Sequence, residues 1–222
     1  SDKTGTLTEN QMTVQSIYAD GTDLEVTGAG YDPTGSIGAG DALPEDARET
    51  LLAGALCNNA SLAYDEGQSA WTINGDPTEA ALLVSAHKAG LAADEAQEDF
   101  PRVDEIPFES TRQFMATLHD MPDGAHRRIF AKGSLDALSQ LAPGSHDGWH
   151  EAAHRMAARG LRVLAFACAD VDNATERLAP DTLRSPLRLL GLQGMIDPPR
   201  AGVREAIALC RSAGIRVKMV TG

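Results

Sequence analysis

Asp2-Lys3-Thr4-Gly5-Thr6-Leu7-Thr8 sets a carboxylate, an ammonium and three hydroxyls within one short run. An aspartate is ionised at neutral pH, its ordinary pKa being about 3.9, so Asp2 can attack a phosphorus centre without a general base and become an aspartyl-phosphate. Lys3, the threonine hydroxyls and the amides around Gly5 suit the equatorial oxygens of a transferred phosphoryl group. Asp2 and Thr4 also offer hard oxygen ligands to Mg²⁺, which neutralises charge developing in such a transfer. The plain alternative is a strand-to-turn segment with an incidental Asp.

A second constellation points elsewhere. His150-Glu151-Ala152-Ala153-His154 is H-E-x-x-H on a predicted helix, where two imidazoles one turn apart can grip Zn²⁺ with Glu151 as base, as in zinc metallopeptidases. That chemistry needs a third ligand. The extended pattern fails, since Ala157 and Gly160 stand at its glycine and histidine positions, leaving Glu176 as the downstream carboxylate. Ala152, Ala153, Met156 and Ala157 read as the buried side, with both histidines on the solvated face. A third constellation, Asp76-Pro77-Thr78-Glu79, has the chemistry of a helix start: an N-cap, Pro at the first position and Glu at the third.

Strands and helices must hold these groups. Residues 12–18, 24–27, 70–73, 103–107, 113–119, 127–131, 162–171 and 187–196 read as strands, several with period-two alternation. Helical spacing covers 44–60, 77–90, 134–141 and 149–159. Ala19-Asp20-Gly21 and Pro122-Asp123-Gly124 mark hairpin turns, so successive strands imply an α+β fold, an antiparallel sheet with flanking helices. Residues 28–41, with five glycines, read as a mobile loop or irregular ribbon. No helix follows Gly28-x-Gly30, so it is no dinucleotide fingerprint. The tail differs, with an apolar-periodic helix over 203–213 and a buried strand over 215–220. Pro198-Pro199 stiffens the chain between the two patterns.

Composition narrows the partners. Nineteen Lys and Arg against 32 Asp and Glu give a net charge of −13, which disfavours nucleic acid and anionic lipid; an anionic nucleotide must find a local cationic pocket. Cys57, Cys168 and Cys210 lack C-x-x-C spacing and read as reduced, mostly buried thiols. No apolar run approaches the ~20 residues of a membrane span, and no signal peptide opens the chain.

The first heptad is also the phosphorylation signature of the P-type ATPases, matched here at every position. A haloacid-dehalogenase-type phosphatase would carry a second Asp at position 4; Thr4 removes that proton donor and suits a longer-lived phosphoenzyme. Gly75-Asp76-Pro77-Thr78-Glu79, Ile106-Pro107-Phe108-Glu109-Ser110, Lys132-Gly133-Ser134, Gly160-Leu161-Arg162-Val163-Leu164-Ala165, Gly194-Met195-Ile196-Asp197-Pro198-Pro199-Arg200 and Met219-Val220-Thr221-Gly222 follow in the family's order. The chain therefore resembles the nucleotide-binding domain of a cation-transporting, P2-like member. The resemblance implies residues 11–197 for that domain, with arms 1–10 and 198–222 from a Rossmann-like, haloacid-dehalogenase-type phosphorylation domain. Asn10-Gln11 and Pro198-Pro199 become the two crossings, together a hinge. Ser1 and Gly222 are then expected to be cuts in a longer chain.

The resemblance further implies ATP and Mg²⁺. Phe108 stacks the adenine, Glu79 lies near its amino group with Asp76 capping the helix unaided, and Lys132 with Gly133 forms the pocket floor. Arg162 reaches the phosphates, and Thr221 and Gly222 complete the nucleotide-binding set. Asp2, Lys3 and Thr4 carry the transfer. Gln113 stands where many pumps carry a lysine, which implies modest nucleotide affinity, and the run Gln113-Phe114-Met115-Ala116-Thr117-Leu118 resembles bacterial monovalent-cation and Ca²⁺ pumps. The implied partners are the actuator, phosphorylation and transmembrane domains of the same parent. The implied location is the cytoplasmic side of a membrane, in bacteria the inner one. A non-catalytic nucleotide sensor is the remaining alternative.

Overall fold

A computed structural model describes residues 1–220 apart from 41, 145, 180–182 and 184–186. The elements run β1 (Thr13–Ala19), β2 (Thr22–Glu25), α1 (Glu45–Leu56), β3 (Ser61–Asp65), β4 (Ala70–Asn74), α2 (Pro77–Lys88), α3 (Ala93–Asp99) and β5 (Arg102–Glu109). They continue β6 (Phe114–Asp120), β7 (Arg127–Gly133), α4 (Leu135–Leu141), α5 (Asp147–Ala158), β8 (Arg162–Val171), β9 (Arg188–Ile196) and α6 (Val203–Ser212). Seven strands form one antiparallel sheet in the order β2-β1-β9-β8-β7-β6-β5, and β3 and β4 pair separately. The expected α+β class is the one that forms.

Alternation along the strands splits the core in two. In β7, Ile129 and Ala131 face one way and Phe130 the other, as a period of two requires. Phe130 and Phe166 meet Leu51, Leu56 and Leu82 of α1 and α2 on one face. On the other, Leu118, Ile129 and Leu192 meet Leu138 of α4 and Met156 of α5. The second face is floored by Ala116, Ala131, Ala165 and Ala167, small side chains that let α4 and α5 lie close.

Several boundaries depart from the expected ones. The first helix stops at Leu56 rather than 60 because the buried Asn58 amide takes the Gly54 carbonyl at 2.9 Å. Strand β6 starts at Phe114, because Gln113 sits in the left-handed region at φ 59°. β3 and α3 lie where no element was expected. The glycine-rich stretch is an irregular ribbon pinned by a Val26–Ile37 bridge and a Thr27 to Ser36 hydrogen bond. Ala157, expected inside, is exposed, whereas Ala152 and Met156 are buried. Cys57 and Cys168 are buried free thiols and Cys210 is half-buried.

The tail corrects the reading most. Helix α6 forms but buries none of its residues, with Leu209 70% exposed. Residues 215–220 make no strand beyond one parallel bridge from Val220 to Asp2, and Ile215, Met219 and Val220 are exposed. Among the described residues nothing covers that alternating face, so its pattern finds no sheet to join. No helix among the described residues is long and apolar enough to cross a membrane.

Candidate functional site

The two ends of the chain are laced together. Lys3 N–H donates to the Val220 carbonyl (3.1 Å), Glu9 N–H to Pro198 (3.0 Å) and Arg200 N–H to Leu7 (3.0 Å). The Arg200 guanidinium adds bonds to the carbonyls of Thr8 and Gly5. Asp197 accepts from the Thr8 hydroxyl at 2.5 Å with one oxygen and from Gln11 N–H at 3.2 Å with the other. The two expected crossings are thus joined through one carboxylate.

After Asp2 the heptad closes on itself. Leu7 N–H and Thr8 N–H both donate to the Lys3 carbonyl, at 3.0 and 3.1 Å. This turn leaves Asp2, Thr4 and Thr6 exposed and Lys3 half-buried. Asp2 Oδ1 accepts from Lys3 N–H at 2.7 Å, and its other oxygen has an open approach from solvent. The Asp2 carboxylate and the Thr4 hydroxyl, the pair expected to hold Mg²⁺, would fill only part of the octahedral oxygen shell that ion takes. No group of three or more His, Cys, Asp or Glu side chains suited to a metal gathers among the described residues.

A cleft of about 280 Å³ opens between the start of α2 and the ends of β5, β7 and β8, lined by Glu79, Phe108, Lys132, Gly133 and Arg162 together with Asp76, Thr78, Leu82 and Leu164. Five expected binding residues therefore share one wall although they lie far apart in sequence. Asp76 caps α2, Oδ1 accepting from Thr78 N–H (2.7 Å) and Glu79 N–H (3.4 Å). Glu79 turns away from the cap. Its Oε1 accepts from Lys132 Nζ at 2.6 Å and its Oε2 from Asn59 N–H at 3.2 Å. The pair is well shielded, the side chains being 9% exposed for Lys132 and 17% for Glu79. Shielding strengthens the mutual attraction while removing the water each charge would otherwise hold.

The rest of the wall is suited to a flat, anionic guest. Phe108 is 60% exposed at the end of β5, an aromatic face available for stacking, while Leu82 and Leu164 supply apolar surface. Arg162 starts β8, exposed, and donates to the Thr78 hydroxyl at 3.4 Å. With Lys132 matched to Glu79, Arg162 is, among the described lining residues, the cation without a carboxylate ion pair. Gly133 has a packing reason for its identity: a Cβ there would lie 2.4 Å from the Gln113 carbonyl oxygen and 2.6 Å from Phe114 Cβ. Lys132 can pass close to β6 only because its neighbour has no side chain.

Gln113 is not among the lining residues. It occupies the turn into β6, its Oε1 accepting from the Ser134 hydroxyl at 3.2 Å. Thr221 and Gly222 lie outside the described residues. Sequence reasoning missed Thr78, Leu82 and Leu164, and also Asn59, whose only sequence signal is an Asn-Asn pair closing a helix. In the H-E-x-x-H segment, His154 is exposed on α5 and His150 lies 3.9 Å from Asp136. That is a solvated face.

Residues 46–202 match the family described as P-type ATPase, cytoplasmic domain N. The whole chain aligns with the cation-transporting ATPase pma1 of Synechocystis at 45% identity and with the probable cation-transporting ATPase F of Mycobacterium tuberculosis at 41%. It aligns with the calcium-transporting ATPase of Bacillus subtilis at 37%. In each case the chain is covered fully and spans 26% of the relative. Neither the fold nor these relatives favour a peptidase or a pure sensor. The chain belongs to the P-type ATPase family, and residues 46–202 of it are the cytoplasmic domain N.

Proposed function

We propose that this chain is the ATP-binding region of a cation-transporting P-type ATPase whose intact form transfers the γ-phosphoryl group of ATP to Asp2 to drive ion movement across a membrane. The observation carrying the reading is the convergence of Glu79, Phe108, Lys132, Gly133 and Arg162 on one cleft in a chain that also holds the unbroken Asp2 heptad. Residues 11–197 bind nucleotide, and 1–10 and 198–222 are arms of the phosphorylation domain. Phe108 stacks the adenine, Glu79 accepts from its amino group, Lys132 holds Glu79 and the pocket floor, and Arg162 takes phosphate oxygens in the fork geometry of a guanidinium. Gln113 shapes the wall behind Gly133, and Thr221 and Gly222 join the phosphate end.

ATP brings the electrophilic γ-phosphorus and the leaving group. A carboxylate oxygen of Asp2 forms the new O–P bond as the β,γ-bridging P–O bond breaks, its electron pair leaving with ADP. No proton is removed from the nucleophile, so no general base is required. Lys3 and the heptad amides steady the equatorial oxygens, and Asp2 and Thr4 would hold Mg²⁺, which supplies charge neutralisation. The partners are the actuator, phosphorylation and transmembrane parts of the same protein, and the setting is the cytoplasmic face of a membrane, the inner one in bacteria.

Titration with a fluorescent ATP analogue tests the cleft. Phe108→Ala and Lys132→Ala are each expected to weaken binding about tenfold, the order of a lost stacking or charge-assisted contact. Equal affinity in the wild type and both variants removes the assignment.

A further inference from the structure

Glu79 is held from behind by residues that line no part of the cleft. The turn after α1 presents Asn59 N–H to Glu79 Oε2, and Asn58 is the pin that sets this turn. Its amide nitrogen donates to the carbonyls of Gly54 in α1 and Glu79 in α2, both at 2.9 Å, while its oxygen accepts from Ala60 N–H at 2.8 Å. Asn58 is 2% exposed, so these bonds have no competing water. Arg102, at the start of β5, closes the other side. Its guanidinium donates to the carbonyls of Leu56 and Asn58 and to Asn59 Oδ1, and Glu105 balances its charge at 2.8 Å. Two peptide carbonyls and one side-chain oxygen on one planar fork fix the direction of the turn and so of Asn59 N–H.

We propose that Asn58 and Arg102 are positioning residues for nucleobase selection, aiming the Glu79 carboxylate at the edge of the base; this rests on the nucleotide reading of the cleft. The chemistry is one of sign. Adenine presents an exocyclic amino donor at its six-position and guanine a carbonyl acceptor, so a fixed carboxylate accepts from the first and repels the second. Glu79 has two oxygens, one engaged by Lys132 and one by Asn59 N–H. The Asn59 bond stops the carboxyl group from rotating about the Lys132 contact, which keeps a lone pair directed into the cleft. Without the turn, Glu79 stays paired with Lys132 but loses its direction, and discrimination falls while the aromatic and phosphate contacts persist.

The test compares ATP and GTP binding by calorimetry on the full 222-residue chain, for the wild type, Asn58→Leu and Arg102→Lys, with circular dichroism confirming the fold. The wild type is expected to prefer ATP, and each variant to lose about tenfold in ATP affinity with less than about a twofold change for GTP. Arg102→Lys keeps the charge but not the fork, and it lies 44 residues from Asn58, so it carries the test if Asn58→Leu does not fold. A parallel loss for both nucleotides overturns the inference and leaves the cleft assignment standing, because a merely structural role has no reason to spare GTP. A wild type that binds neither nucleotide overturns both readings.

Discussion

The sheet and the two arms are built on opposite terms. Every strand of the main sheet except β2 contributes buried side chains, and two apolar clusters close its faces. The arms are held by peptide hydrogen bonds and the Arg200 and Asp197 side chains, while α6 buries nothing. The sheet domain therefore carries its own stability, since buried apolar area is the main favourable term in folding. The arms take their order from pairing with each other. On the proposed function, the nucleotide site lies on the first kind of scaffold and the phosphate acceptor on the second.

The sharpest way to break this contrast is to remove bulk from the sheet. Phe166 is fully buried at the centre of β8, and Phe166→Ala is expected to lower the unfolding free energy by about 3–5 kcal/mol, measured by urea denaturation. A loss under about 1 kcal/mol would mean that the sheet is not the stable body described here.

Acid gives the next largest effect. His119 is buried in β6 and donates from Nδ1 to the Phe100 carbonyl at 2.8 Å, while Nε2 has no partner among the described residues. Burial, with help from Arg102, drives its pKa down to about 4. The unfolded histidine, near 6.5, binds a proton that the folded one refuses, so this group's contribution is complete above about pH 6.5 and is lost as pH falls towards 4. The loss is on the order of 3 kcal/mol. His119→Gln should flatten that part of the stability profile, and an unchanged profile would show that the imidazole is charged in the folded sheet.

The smallest effect is expected in the arm. Leu209 on α6 is 70% exposed, and Leu209→Ser should change the unfolding free energy by less than about 0.5 kcal/mol. A cost comparable to that of Phe166→Ala would erase the distinction between the two regions.

What could be read from the residues follows the same division. Strands such as β7 and β8 were legible because a core on both faces writes a nearly unbroken apolar run into them. β3, with Ser61-Leu62-Ala63-Tyr64-Asp65, exists only through its pairing with β4 and has no buried residue of its own. α3 is an acidic segment in which Ala96 alone is buried, so it lacked an apolar stripe. The predicted strand at 215–220 erred the other way, its alternation being real but unpaired. In the cleft, Phe108, Lys132 and Arg162 were legible through an ordered set of motifs. The Lys132 to Glu79 contact across 53 residues and the bracing by Asn58 and Arg102 were not, because side-chain geometry between distant elements leaves no local periodicity.

Thr13 lies opposite Ile196 where the chain enters and leaves the sheet, and Asp197 holds Thr8 and Gln11 of the segment that leads into β1. The whole domain is therefore slung from a single two-ply stem. On the proposed division of the chain, the heptad and the 198–220 arm therefore root side by side at one end of the sheet.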